Sequence, residues 1–395
     1  MSQQKKRWIE VGLSALKLGL TSFGGPVAHI GYFRQFYVSR KKWLSEEAFA
    51  DLTALCQFLP GPASSQLGIA IGMQRAGMAG GIAAWLGFTL PSAALLVAFA
   101  FGLQASGFGD SGWLHGLKLA AAAVVAQAVW SMARTLTPDR PRIAMAALTA
   151  SFAILTPGIA GQLVPILACG AAGALFLGSN PPAAADDRGP GGKKTATVAC
   201  LALFFALLAV LPLAAAKHDA PWLQFADIGY RAGALVFGGG HVVLPLLHEQ
   251  VAATGLVGEE QFLAGYGAAQ AIPGPLFTFA AYLGAVSAPG LEGLLRAAVA
   301  LAFIFLPSFL LVAGVMPYWS RLRQWKAARS ALSGVNASVV GLLFAALYDP
   351  VWTSSVRTPV DLIFAGAALL ALAVWKCPPW LLVLAAAGAG WLIFV

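Results

Sequence analysis

The sequence predicts an all-α, polytopic membrane protein made of two related repeats. Of its 395 residues, 59% are hydrophobic and 10% are charged, whereas a soluble domain carries about 25% charged residues. Apolar stretches long enough to span a bilayer recur along the chain. A set of short motifs also occurs twice in the same order. These three observations together indicate a transmembrane fold with an internal duplication.

The apolar stretches predict about nine full membrane crossings. An α-helix rises about 1.5 Å per residue, so roughly 17 to 25 apolar residues cross the hydrocarbon core. The predicted spans are residues 79–104, 113–134, 141–157, 162–178, 196–216, 290–315, 329–348, 359–375 and 379–395.

Five motifs are duplicated. Phe-Gly-Gly begins at Phe23 and at Phe237, and Pro-Gly-Pro begins at Pro60 and at Pro273. A Glu-Glu pair, a Leu-Pro-Ser triplet and a triplet that begins with Gly also occur twice, at matching distances from these motifs. Between the copies lies a stretch rich in Pro, Gly and Asp, which is typical of a linker. The predicted parts are a first repeat at 1–179, a polar linker at 180–195, a connecting transmembrane helix at 196–222 and a second repeat at 223–395.

The basic residues predict the topology. Counting the spans puts the Lys and Arg clusters and the N-terminus on the cytoplasmic side, as the positive-inside rule requires. The count assumes that the segments with Phe-Gly-Gly and Pro-Gly-Pro enter and leave on the same side. Broken helices lose backbone hydrogen bonds that lipid cannot replace, so re-entrant segments inside the protein are expected. The repeats are then inverted, as in many secondary transporters. If the Phe-Gly-Gly helices instead cross, the count changes but the duplication stands.

The two Pro-Gly-Pro motifs are the first candidate site. Proline is favoured in the first turn of a helix, so a new helix should begin at each motif and point its free N–H groups at an anion. Nearby hydroxyl and amide groups add donors. The alternative is a plain kink whose hydroxyls bond back to their own helix. The predicted binding residues are Gln57, Pro60, Gly61, Pro62, Ser64 and Ser65 in the first repeat and Gln270, Pro273, Gly274, Pro275 and Thr278 in the second.

The Phe-Gly-Gly motifs and two buried cations complete the predicted binding site. Glycine permits close backbone approach, either to a ligand or between packed helices. Lys17 and Arg231 each lie six residues before the motif, inside an apolar stretch. A cation at membrane depth is costly and points to a substrate path, although Lys17 is near enough to the N-terminus to reach the interface instead. The predicted backbone contacts are Phe23, Gly24, Gly25, Phe237, Gly238 and Gly239.

Two histidines and two glutamates are candidates for ion coupling. His29 and His241 follow the Phe-Gly-Gly motifs, and Glu46 and Glu259 precede the Pro-Gly-Pro motifs. A histidine at membrane depth could carry a proton. The simpler interpretation places the histidines at the interface and makes the glutamates ordinary first-turn partners of the helix dipole, with Ser45 as a helix cap.

Other function classes lack support in the sequence. The chain has no P-loop, HExxH or GxSxG motif, and its four cysteines are far apart with no metal-ligand spacing. We therefore predict no enzyme activity, no cofactor, no metal and no direct use of ATP. The basic residues lie in short clusters between spans, which does not suggest nucleic acid. A channel and a membrane-embedded reductase are the alternatives from other functional classes. The sequence does not decide whether the chain forms a homodimer.

The motifs resemble those of the chromate ion transporter family in its long-chain, two-domain form. The resemblance covers nearly the whole chain. One departure is that Gly240 in the second repeat stands where the first has Pro26. The residues that carry the resemblance are FGGPVAH at 23–29, WLSEEAF at 43–49 and QFLPGP at 57–62. The matching segments of the second repeat are FGGGH at 237–241 and QAIPGP at 270–275.

This resemblance implies a function. It predicts export of chromate across the bacterial cytoplasmic membrane, driven by a proton or membrane-potential gradient and giving chromate resistance. Sulfate has the same charge and tetrahedral shape, so it is the expected competitor. The alternative is a transporter of sulfate or another oxyanion, or an anion channel.

Overall fold

The computed structural model describes residues 3–106, 112–178 and 194–394. Nearly all of the described chain is helical. Most of the predicted linker and the loop at 107–111 lie outside these ranges. The helices are α1 Gln3–Thr21, α2 Gly25–Phe33, α3 Glu46–Phe58, α4 Ala63–Ser106, α5 Gly112–Leu136, α6 Arg140–Leu155, α7 Ile159–Phe176, α8 Lys194–Lys217, α9 Pro221–Leu235, α10 Val243–Thr254, α11 Glu259–Ala271, α12 Phe279–Val286, α13 Gly290–Val315, α14 Trp319–Leu322, α15 Lys326–Ala346, α16 Thr353–Ser355, α17 Pro359–Ala373 and α18 Pro379–Ile393.

Six helical stretches of the described chain are long and apolar enough to cross a membrane, which fits a polytopic membrane protein. The predicted spans at 141–157, 359–375 and 379–395 are the shorter helices α6, α17 and α18, of 16, 15 and 15 residues. At about 1.5 Å per residue these reach about 22 to 24 Å, less than the hydrocarbon core. Nine crossings and an inverted arrangement therefore stay predictions.

The Phe-Gly-Gly and Pro-Gly-Pro motifs break the helices where the sequence predicts. The first Phe-Gly-Gly separates α1 from α2, and the second separates α9 from α10. The first Pro-Gly-Pro separates α3 from α4, which begins at Ala63. After the second, one 3₁₀ turn at Leu276–Thr278 leads into α12. A further break divides α4 at Ala76 and Gly77, where Gly77 has a φ of 64°, just before the predicted span that begins at residue 79.

The last helices of each repeat pack on the other repeat. Helix α18 lies along α5, and α7 lies along α15. Glycines allow both contacts: a Cβ on Gly116 would lie 2.2 Å from the carbonyl oxygen of Ala386, and one on Gly334 would lie 1.9 Å from that of Cys169. Since no side chain fits at either glycine, the two repeats pack there by direct contact between backbones.

Polar contacts also join the two repeats. The ring of His115 on α5 lies with Nε2 2.7 Å from a carboxylate oxygen of Asp361 on α17. On the other side, the Thr149 hydroxyl of α6 donates to the Ser338 hydroxyl of α15 at 3.2 Å. Asp361, Thr149 and Ser338 are buried, so these hydrogen bonds join the repeats inside the fold.

Candidate functional site

Each Pro-Gly-Pro loop hydrogen-bonds to the chain that leads into the Phe-Gly-Gly of the other repeat. The N–H of Gly61 donates to the carbonyl of Val236 at 2.7 Å, and the N–H of Gly274 donates to the carbonyl of Ser22 at 2.9 Å. Both glycines have positive φ, 121° and 103°, a region that side chains disfavour. The four broken segments therefore meet at one place, and both repeats build it.

A serine from the opposite repeat lies against each loop. A Cβ on Gly61 would be 3.0 Å from the hydroxyl oxygen of Ser308, and one on Gly274 would be 2.8 Å from that of Ser92. These serines end the two Leu-Pro-Ser triplets and are both buried. The triplets identified the duplication, but sequence reasoning did not assign their serines to the site. Their matching positions were the available signal.

A buried polar cluster surrounds the loops in the first repeat. His29 is 1% exposed; its Nδ1 lies 3.3 Å from the Ser64 hydroxyl, and its ring stands edge-on to Phe88. Within the described part of the chain, His29 Nε2 and the hydroxyls of Ser22 and Ser65 have no hydrogen-bond partner. Buried polar atoms are normally paired, so this cluster has spare capacity for a polar ligand or water. The His29 side chain therefore lies inside the protein and not on its surface.

Gln66 was missed by sequence reasoning. It is fully buried, and its amide nitrogen donates to the carbonyl of Pro60 at 2.6 Å, which closes the first loop. Gln57, the predicted amide donor, is exposed, whereas Gln270 is partly buried with its amide nitrogen unpaired among the described residues. The Thr278 hydroxyl donates back to the carbonyl of Pro275 at 2.8 Å, as the plain-kink interpretation of that hydroxyl predicts.

The two glycines of each Phe-Gly-Gly motif have different surroundings. A Cβ on Gly238 would lie 3.3 Å from side chains of α5 and α15, and one on Gly24 would lie 3.2 Å from the Cβ of Ala28. In the first motif, a Cβ on Gly25 would meet no atom of the described chain within 4 Å. The Phe23 ring contacts Trp380 of α18 at 5.5 Å between centroids. A Cβ on Gly239 would likewise meet no atom of the described chain within 4 Å, so in both motifs the first glycine is in contact and the second has open space.

The remaining residues of the two motifs lie at the same junction. Phe237 is partly buried against the main hydrophobic core. Next to Gly239, a Cβ on Gly240 would lie 3.3 Å from the Pro26 ring, so the two motifs touch. His241 places Nδ1 3.0 Å from the Tyr266 hydroxyl. Gly24 is the N-cap residue of α2 and has a φ of 95°.

The two predicted cations have different environments. Arg231 forms an ion pair with Asp227, one turn earlier on α9, with Nε 2.8 Å from a carboxylate oxygen. Lys17 is exposed and lines a cavity of about 430 Å³ with Arg40 and several polar residues. The cavity is bordered by Lys17, Leu18, Thr21, Tyr32, Gln35, Phe36, Ser39 and Arg40.

Replacing Arg231 tests whether its charge serves structure or substrate. In Arg231→Gln, Asp227, which is 4% exposed, would keep a buried charge without its partner, so we expect a loss of stability of about 3 to 5 kcal/mol. The double variant Arg231→Gln/Asp227→Asn should recover most of it. Thermal unfolding measures stability, and vesicle uptake measures transport. Transport restored in the double variant would make Arg231 structural; stability restored without transport would assign it to the substrate.

The predicted coupling glutamates begin helices at the surface. Glu46 forms a two-point ion pair with Arg34, at 2.8 and 3.1 Å, and Glu259 is an exposed first-turn residue of α11. The Ser45 hydroxyl accepts from the N–H of Ala48, so the predicted cap is confirmed.

Two ion pairs join the repeats near these helices. The buried Lys118 of α5 reaches Glu260 of α11 at 3.2 Å. Asp51 of α3 accepts from Arg323 at 3.0 Å and from the Trp319 ring nitrogen at 2.9 Å, both on or beside α14. Together with the loops, these contacts tie the two repeats at the motif-bearing segments.

The fold defines a helical, multi-pass membrane protein whose broken helices meet between two repeats. The chromate transporter family matches the chain over residues 9–174 and 223–391. The chain belongs to this family.

Relatives align over most of their length. A chromate transport protein of Pseudomonas aeruginosa is 30% identical over 390 residues, covering 96% of this chain and 91% of the relative. A chromate transport protein of Cupriavidus metallidurans is 28% identical over 371 residues, covering 91% and 85%. An uncharacterized transporter of Methanocaldococcus jannaschii is 24% identical over 347 residues, covering 85% and 83%. No solved structure matches the chain.

Proposed function

We propose that the chain is a secondary transporter that exports chromate across the bacterial cytoplasmic membrane, driven by a proton or membrane-potential gradient, and so gives chromate resistance. Membership of the chromate transporter family and the two related chromate transport proteins support the substrate class. The observation that carries the proposal is the reciprocal hydrogen bonding of the two Pro-Gly-Pro loops to the opposite repeat.

The loops suit a transporter because they join the two repeats at broken helices. In secondary transporters, substrate sites lie between repeats at discontinuous helices, and one repeat moves against the other. Here a movement of one repeat against the other changes the positions of Gly61 and Gly274 relative to the opposite repeat. An inverted arrangement of the repeats would let the same junction face each side of the membrane in turn. That inversion is part of the proposal.

The chemistry of the junction suits a tetrahedral oxyanion. Helix α4 begins just after the first loop, and the N–H groups of its first turn have no partner within the helix. The helix dipole favours an anion there. The hydroxyls of Ser64 and Ser65 and the ring of His29 add donors that are buried. Several donors at and beside the start of one helix suit the four oxygens of chromate.

Lys17 and Arg40 would bring the anion to this junction. Both line the cavity beside α1, and Thr21, on the same cavity, is next to Ser22, whose carbonyl accepts from Gly274. Two cations attract a dianion more strongly than one, and a low-dielectric surrounding increases the attraction. Arg231, at the matching position of the second repeat, is neutralised by Asp227. The first repeat therefore offers the more positive approach.

Two alternatives share this chemistry. Sulfate has the charge and shape of chromate, so the donors of the site separate the two anions weakly. An anion channel would also use helix N-termini and cations, but it would not need two loops that hold opposite repeats. Conductance far above transporter turnover would favour the channel.

The test measures chromate uptake into everted membrane vesicles that contain the chain, because export from cells becomes uptake in this orientation. The vesicles are energised to form a gradient, and parallel samples receive a protonophore, a potassium ionophore or excess sulfate. Vesicles from cells without the chain are the control. We expect uptake that needs the gradient, is sensitive to one of the ionophores and falls with sulfate.

The other outcomes separate the alternatives. Sulfate uptake without chromate uptake would make the chain a sulfate transporter. Anion uptake that does not depend on the gradient and reaches equilibrium faster than a transporter allows would favour a channel. Absence of movement of both anions, in vesicles shown to hold the folded chain, would overturn the proposal.

A further inference from the structure

An open groove on the outer surface lies between α5, α6 and α15. It encloses about 600 Å³. Arg134 and Thr137 line it at the turn between α5 and α6, and from there the groove runs along α6 toward Ile154. Its walls are otherwise mainly apolar, and they include Val129, Ala146, Ala147, Ala150, Val340 and Phe344. The groove therefore has a cationic end and an apolar length.

The groove opens toward the bilayer. Its rim includes Trp130, Ile143 and Phe344, which are 64%, 54% and 50% exposed. In a multi-pass membrane protein such exposed apolar side chains face lipid. An open apolar groove on that face is filled by an acyl chain, because water there would leave apolar surface hydrated.

The cationic end suits an anionic headgroup. The guanidinium of Arg134 lies 5.5 Å from the centroid of the Trp130 ring, and Trp and Arg are typical of the membrane interface. Arg140 and Arg142 follow at the start of α6. Asp139, the acidic residue of this turn, pairs with Arg142 at 3.2 Å. The turn thus keeps a net positive charge, and basic pockets between membrane helices bind phospholipid headgroups.

We propose that this groove binds an anionic phospholipid, with its phosphate at Arg134 and one acyl chain along α6 toward Phe344 of α15. Helix α6 belongs to the first repeat and α15 to the second, and they touch where a Cβ on Gly341 would lie 2.2 Å from the carbonyl oxygen of Ala146. A lipid in the groove covers this contact and stabilises the exchanged packing. The inference is independent of the transported substrate.

The experiment compares lipid binding by purified full-length variants. Phosphatidylglycerol or phosphatidylcholine of the same acyl chains is added in detergent, and bound lipid is counted by native mass spectrometry beside thermal unfolding. For the wild type we expect retained phosphatidylglycerol and a higher unfolding temperature with it than with phosphatidylcholine. Inorganic phosphate alone should not raise the unfolding temperature, because it lacks the acyl chain.

Three variants assign the binding to the groove. Arg134→Gln should reduce the preference for phosphatidylglycerol about fivefold, since one arginine near the surface contributes about 1 kcal/mol. Ala147→Trp, at an exposed groove position, should remove retention of both lipids. Arg321→Gln, an exposed arginine outside the groove, is the matched control and should behave as wild type.

The outcomes decide the assignment. Wild-type preference in Arg134→Gln together with wild-type retention in Ala147→Trp would overturn the proposal. An equal loss in Arg321→Gln would also overturn it, because the preference would then come from overall charge. Lipid-free unfolding temperatures report whether each variant folds, and Ala147→Leu is the milder groove-filling variant if the Trp variant does not.

Discussion

A methyl group added at Gly61 or Gly274 is expected to stop transport while the protein still reaches the membrane. Both glycines have positive φ, and holding another residue there costs about 1 to 3 kcal/mol. The new Cβ would also lie 2.5 Å from the Gln66 amide nitrogen or 2.8 Å from the Ser92 hydroxyl oxygen. Because each loop holds the opposite repeat, we expect the uptake rate to fall on the order of tenfold or more.

The Gly274 variant should be the more damaged of the two. Gln66 can move its amide away from a Cβ on Gly61, although it then loses its hydrogen bond to Pro60. Around Gly274, the next neighbours after the Ser92 hydroxyl are the Ser92 Cβ at 3.2 Å and the Phe88 carbonyl oxygen at 3.4 Å. These atoms belong to helix α4 itself, so relief requires a shift of the helix.

The matched control is Gly290→Ala. Gly290 also has a positive φ, 62°, but its Cβ would meet no atom of the described chain within 4 Å. This variant carries backbone strain without the contact, and it should transport nearly as wild type. Chromate uptake per unit of folded protein, with unfolding temperature measured beside it, compares the three variants. Wild-type rates in both loop variants would contradict the role that we give to the loops.

Neither half of the chain is expected to accumulate as a folded protein when expressed alone. The chain is divided within residues 179–193, so that one half ends after α7 and the other begins with α8. Alone, the first half leaves the glycine face of α5 without α18, and the second leaves α15 without α7. Co-expressed halves should associate, and a tag on one should recover the other from detergent-solubilised membranes.

The association should depend on the glycine contacts between repeats. Gly116→Leu and Gly334→Leu place side chains where carbonyl oxygens of α18 and α7 lie, so both should prevent recovery of the partner half. Gly102→Leu, at a helix position with open space in the described structure, should not. Stable, monomeric halves that each keep their helix content would contradict the exchanged packing.

Much of the secondary structure was predictable because hydrophobic length and helix breakers are local signals. The predicted spans agree with helix bounds to within a few residues, and the break at each Phe-Gly-Gly and Pro-Gly-Pro motif is observed. The cap at Ser45 follows from local chemistry in the same way.

The partners of these helices were not predictable. Hydrophobicity indicates that a face is buried but does not say which helix covers it, so the exchange of α7 and α18 was missed. Gln66 lies in an ordinary helical stretch, and only the return of the chain brings it to Pro60. Asp227, in contrast, precedes Arg231 by four residues, a spacing that identifies helical ion pairs, so that signal was present and overlooked.

The exchanged helices also constrain how the chain is completed during synthesis. Helices α5, α6 and α7 leave the ribosome long before α15, α17 and α18. Each of the three early helices nevertheless packs against at least one of the three late helices. The first repeat therefore stays in the bilayer with uncovered glycine and alanine surfaces until α15, α17 and α18 have been made. Contacts so distant in sequence form late. Helix α18 emerges after the other described helices and packs on α5, so a chain truncated before α18 is defective in its first repeat.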